Sequence, residues 1–91
     1  MSVAGRFDFK VYRDFQDAYK RLLDDRTVSE IEIEMDKLIY MDSSALGMLL
    51  QLDECARAAN KTVALLNTSG PVSKLLDVAS FSTLFNITHT N

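Results

Sequence analysis

Cysteine, histidine and proline each occur once in the 91 residues, at Cys55, His89 and Pro71. A single cysteine excludes an internal disulfide and suits a reducing compartment. One cysteine and one histidine fall short of the four closely spaced ligands of a structural zinc site. A Cys55–His89 catalytic pair has no third group to orient it, so Cys55 reads as a small core residue. Long apolar runs are also missing, which argues against a membrane-spanning helix, and residues 1–6 lack the apolar stretch of a signal peptide. Basic residues do not cluster, and the formal net charge is -3. Without a basic stripe there is no footprint for a phosphate backbone, so direct nucleic-acid binding is not expected. Repeats, low-complexity segments and linkers are absent too. The expectation is one small cytoplasmic domain over residues 1–91, with no cofactor, no metal and no membrane insertion.

What is present is a folded composition, 47% hydrophobic, arranged in two alternating periods. Residues 2–9 read as a short strand interrupted at Gly5. Val11, Phe15, Ala18 and Leu22, with Tyr12, Tyr19 and Leu23, recur at helical spacing and predict a helix over 12–23. Residues 30–36 alternate strictly as Glu-Ile-Glu-Ile-Glu-Met-Asp. That period of two predicts a strand with one buried face and one acidic wet face. A second layer over the carboxylates would be costly, so helices are expected mainly on the other face. Residues 37–41 read as an extended link with Leu38 and Tyr40 as inward anchors. A second helix is predicted over 43–59, a buried strand over 62–66, and a third helix from Pro71 with Val72, Leu75, Leu76 and Ala79 as its apolar stripe. Residues 84–88 read as a last strand. Strands alternating with helices predict an α/β fold, its sheet at least partly parallel, with helices held on one face by right-handed crossovers.

The second helix carries more apolar side chains than one face needs. At about 100° per residue, Ala45, Met48, Leu49, Leu52, Cys55, Ala56 and Ala59 form the inner stripe. Ser43, Gly47, Leu50 and Glu54 lie opposite, with Leu46 at the edge. Leu46 and Leu50 therefore either sit under another element or belong to a docking patch rimmed by polar residues.

Asp42 and Ser43, just before this helix, are both good capping residues. The same place tolerates a phosphate, because the first N–H groups of a helix lack partners and the dipole favours negative charge. A phosphoryl group on Ser43 adds about -1.5 to -2 charges beside Asp42. A partner docked over Leu46, Gly47 and Leu50 would then meet like charge.

The stretch Met41-Asp42-Ser43-Ser44-Ala45-Leu46-Gly47 resembles the signature of the STAS domain family, in particular bacterial anti-anti-sigma factors (anti-sigma factor antagonists). The stretch from Pro71 to Ala79, followed by Phe81, Leu84 and Phe85, is similar to the family's third helix and its approach to the last strand. Residues 3–8 resemble its short strand before the first helix. The resemblance spans nearly the whole chain. It implies a STAS-like single domain, a small mixed β-sheet with helices mainly on one face and a shortened N-terminal strand. It implies partner switching: the unphosphorylated protein binds a GHKL-type serine kinase that doubles as an anti-sigma factor. Phosphorylation of Ser43 blocks binding, and a PP2C-type phosphatase restores it. The expected partner-binding residues are Asp42, Ser43, Ser44, Leu46, Gly47, Leu50 and Glu54. The protein is then a substrate and a binding module, not an enzyme, and ATP belongs to the kinase.

Ala45 stands where the family usually has glycine, a change the helix accepts but the kinase contact could feel. The short N-terminal strand predicts an exposed sheet edge, hence either a minimal sheet or a homodimer through that edge. A second function class is a constitutive STAS subunit of a cytoplasmic complex, such as a lipid-transport ABC system, with no phosphate cycle. A Ser43–Asp42–His89 triad is a third reading, and nothing in the sequence brings His89 near Ser43.

Overall fold

The strand that reads most clearly in the sequence is the second of four, and the rest of the fold is built around it. The computed structural model describes residues 1–89. Its elements run β1 (Ser2–Phe7), α1 (Tyr12–Asp24), β2 (Glu30–Met41), α2 (Ser43–Ala58), β3 (Thr62–Thr68), α3 (Gly70–Val78) and β4 (Asn86–His89), with short 3-10 turns at Phe9–Val11 and Phe81–Thr83. The sheet order is β1-β2-β3-β4 and each pairing is parallel. The α/β class and STAS-like layout expected from the sequence hold. The sheet is not mixed, however: each of the first three strands is followed by a helix that returns the chain to the same starting edge.

A chain that always steps in the same direction across a sheet through right-handed crossovers lays every helix on one face. One core follows. It joins Phe7, Ile31, Ile33, Met35, Val63 and Leu65 of the strands to Phe15 and Tyr19 of α1, to Ala45, Leu49, Leu52 and Ala56 of α2, and to Val72 and Leu76 of α3. Phe15 makes tilted contact with Phe7 and edge contact with Tyr19, at ring distances of 5.0 and 5.3 Å. The opposite face stays wet. Glu30 and Glu32 are exposed there, Glu30 accepts bonds from Thr62 and Asn86, and Glu34 accepts one from Asn67.

Residues 37–41 are not a link. They extend β2 to twelve residues, and β1 pairs along this extension. The pairing is irregular twice. Ser2 to Ala4 faces Glu34 to Lys37, and Gly5 to Arg6 faces Leu38 to Tyr40, so β2 carries an extra residue at each place. Each extra residue inverts the inward-outward phase. Leu38 therefore packs against the core as expected, but Tyr40 turns outward and Met41 takes the inward position. Gly5 does not interrupt β1. It sits in the irregularity with φ +70, a conformation that favours glycine.

The α1–β2 connection is fastened by a side chain from elsewhere. Lys61, 8% exposed, donates from Nζ to the carbonyls of Asp25 and Val28 at 2.6 Å each.

Candidate functional site

Parallel strands all finish at the same edge of the sheet, so their following turns collect there. Phe7 ends β1 opposite Met41, which ends β2. The turn beginning at Asp8 and the turn at Asp42 are therefore neighbours.

Asp42 is the cap of α2. Its extended backbone aims the carboxylate back at the helix, and Oδ1 accepts the N–H groups of Ser44 and Ala45 at 3.0 and 3.2 Å. The Ser44 hydroxyl donates to the same oxygen. These bonds hold the Asp42 carboxyl below the usual carboxylate range, the Ser44 hydroxyl first, with the Arg6 charge adding to them.

Ser43 is thereby relieved of capping. It is the first residue of α2, it is exposed, and its hydroxyl takes no partner among the described residues. Of the two caps that the sequence offered, the structure uses Asp42 alone. Ser44 is engaged with Asp42 and half-buried. Gly47, Leu50 and Glu54 follow Ser43 along one solvent-facing stripe, with Leu50 40% exposed. Leu46 lies at the border of this stripe and leans into the core. The seven residues singled out from the sequence thus lie together, five at the start of α2 and two further along the same side.

The inner stripe is as expected at Ala45, Met48, Leu49, Leu52 and Ala56. Cys55 is only half-buried and Ala59 is exposed past the helix end. Asp53, not anticipated, is buried and paired with Arg57 at 2.9 Å. This i,i+4 pair lets a carboxylate sit at the side of the core face.

Three residues at the end of β1 and in its turn escaped the sequence reading, because only the strand register brings this turn next to the one at Asp42. Phe9, in the turn after β1, is 69% exposed. Arg6 lies over the ring of Tyr40, its strand partner, 4.1 Å from the centroid. Asp8 accepts the Lys10 N–H at 3.0 Å and faces Arg6 at 3.7 Å. A motif along the chain cannot signal such a cluster.

His89 is elsewhere. Its Nδ1 lies 2.9 Å from the hydroxyls of Thr68 and Ser73, on β4, which β3 separates from β2. A triad with Ser43 is not assembled. Among the described residues no group of three His, Cys, Asp or Glu side chains is placed to hold a metal ion, and no helix is long and apolar enough to cross a membrane.

The fold is shared with a solved structure, the anti-sigma factor antagonist SpoIIAA in its unphosphorylated form. The TM-score is 0.74 at 20% identity, over 99% of this chain and 77% of that one. The family model described as the Mlab STAS domain matches residues 1–86. A STAS-domain containing protein of Pseudomonas aeruginosa (strain UCBPP-PA14) is 40% identical over 87 residues, 96% of this chain and 84% of the relative. The chain belongs to the STAS domain family.

Proposed function

We propose that this protein is a phospho-regulated binding module, an anti-sigma factor antagonist of a partner-switching pathway acting in the cytoplasm on transcription. The observation that carries the reading is the division of labour at the start of α2. Asp42 does the capping and leaves Ser43 exposed with its hydroxyl free. Modifying that hydroxyl breaks no bond that holds the helix.

Unphosphorylated, the face formed by Ser43, Gly47, Leu50 and Glu54, with Leu46 at its border, docks on a GHKL-type serine kinase that is also the anti-sigma factor. The kinase transfers the γ-phosphoryl group of ATP to Ser43 Oγ. The bond between the β- and γ-phosphates breaks, ADP leaves, and the hydroxyl proton passes to a base on the kinase. A PP2C-type phosphatase hydrolyses the ester, returning serine and inorganic phosphate. A phosphate beside the ionised Asp42 puts two negative groups against a desolvated partner surface. Such juxtaposition costs several kcal/mol, about a hundredfold or more in affinity. This chain supplies no catalytic group.

The likeness to the antagonist supports the fold behind this reading. The matching family model is described by a different member, and a second reading stands beside the first: a constitutive subunit of a cytoplasmic complex such as a lipid-transport ABC system, docking through the same face without a phosphate cycle. Co-purification with the wild type, Ser43→Ala and Ser43→Asp separates the two. The switch reading expects a serine kinase with the first two and its loss with Ser43→Asp. An ABC ATPase recovered with all three supports the second reading and overturns the first.

The β1 edge is the proposed homodimer surface. Ser2, Ala4 and Arg6 are exposed along it, and a 210 Å³ groove between β1 and α1 is lined by Met1, Val3, Phe7 and Phe15. An unassociated monomer in sedimentation at high micromolar concentration would count against pairing there.

A further inference from the structure

We propose that Arg6 is the receiver of the Ser43 phosphoryl group: a guanidinium held loosely beside the site that swings onto the phosphate once it is added. The proposal rests on the reading of Ser43 as a phosphorylation site and adds how this chain holds the modified state.

Three observations place Arg6 for the task. The strand register puts Arg6 against Tyr40 and Phe7 against Met41, so Asp42 and Ser43 follow directly beyond the end of β1. The guanidinium rests on the Tyr40 ring, which gives it a platform without using its N–H donors. Its only ion-pair partner among the described residues is Asp8, at a long 3.7 Å, with the guanidinium exposed and the carboxylate largely buried. At that length, and with the guanidinium in solvent, the contact leaves Arg6 free to turn to a stronger acceptor. Asp8 keeps its bond to the Lys10 N–H if Arg6 departs. The Arg6 charge is already felt at Asp42.

A phosphate on Ser43 changes the balance. The Ser44 and Ala45 N–H groups, which an anion at a helix start would ordinarily use, are taken by Asp42. With those two N–H groups occupied, a donor outside the helix is needed to complete the phosphate's bonds. A dianion competes well against a single distant carboxylate, and a guanidinium offers it two parallel N–H bonds. The charged groups at the neighbouring strand end are Arg6 from β1 and Asp8 and Lys10 from the turn after it, and Asp42 precedes Ser43 directly. Of the two cations, Arg6 is the one whose charge already reaches Asp42.

The test uses the full chain with phosphoserine installed at position 43 during synthesis, so it needs no cognate kinase. The second ionisation of the phosphate, ordinarily near pH 6, is titrated by phosphorus NMR in the Arg6 background and in Arg6→Gln, Arg6→Lys and Lys10→Gln. The expected result is a phosphate pKa higher by about half a unit or more in Arg6→Gln. Arg6→Lys is expected in between, and Lys10→Gln near the unmodified value. An unchanged pKa in Arg6→Gln, or a larger rise in Lys10→Gln, overturns the proposal. Either failure leaves partner switching standing, because the installed phosphate can still be tested for partner release. Conversely, a Ser43 that no cellular kinase modifies sinks the switch while the titration still reports on Arg6.

Discussion

Asp42 and Ser43 differ by one position and by everything they do. Both are good caps by type, and sequence alone leaves the first helical residue uncertain by one or two positions. The structure resolves the choice because the extended backbone at Asp42 turns its carboxylate onto two N–H groups. Asp42→Ala should therefore lower the melting temperature by about 5 °C, whereas Asp42→Asn, which still caps, should lower it far less. Thermal melts of the two variants check this, and equal losses would contradict the assignment. A pH dependence follows with a definite sign. Asp42 and Asp25 both titrate below the usual carboxylate range in the fold, Asp25 chiefly through the Thr27 hydroxyl and N–H. Their contributions are complete above the unfolded carboxylate pKa of about 4 and are lost as pH falls through the depressed folded values. Melts between pH 6 and 2 should show stability falling on acidification, with a shallower fall in Asp42→Asn.

At the scale of elements, periodicity located every helix and the inner half of β2. It failed at residues 37–41 because two extra residues shift the phase, and a pattern of period two cannot register a bulge set by its partner strand. Gly5 was read as a break for the same reason. Its φ of +70 instead makes it part of the irregular pairing. With open space around a Cβ there, Gly5→Ala should destabilise through backbone strain alone, by about 1 kcal/mol. Urea unfolding measures it, and no change would mean that β1 pairs differently. Lys61 fastens the α1–β2 connection from a position far along the chain, which no periodic pattern signals. Lys61→Met removes the donor from two carbonyls and should cost about 2 kcal/mol in the same experiment.

For the whole molecule, the acidic alternation of β2 was enough to expect helices on one side, and the parallel order β1-β2-β3-β4 is the topology that puts them there. The same topology gathers the strand ends at one edge. It brings the end of β1 with Arg6, and the turn after it with Asp8 and Phe9, next to the Asp42 turn, which no local motif announces. The helix stripe of Ser43, Gly47, Leu50 and Glu54 was legible because it depends on spacing within one helix. The cluster was not, because it depends on register between two strands more than thirty residues apart. On the proposed reading, charge added at Ser43 acts on the partner and not on the fold. The most direct test is the affinity of a co-purified partner, measured by calorimetry, for the chain with serine and with phosphoserine at position 43. The account predicts a loss of about a hundredfold on phosphorylation. Equal affinities for the two forms would contradict it.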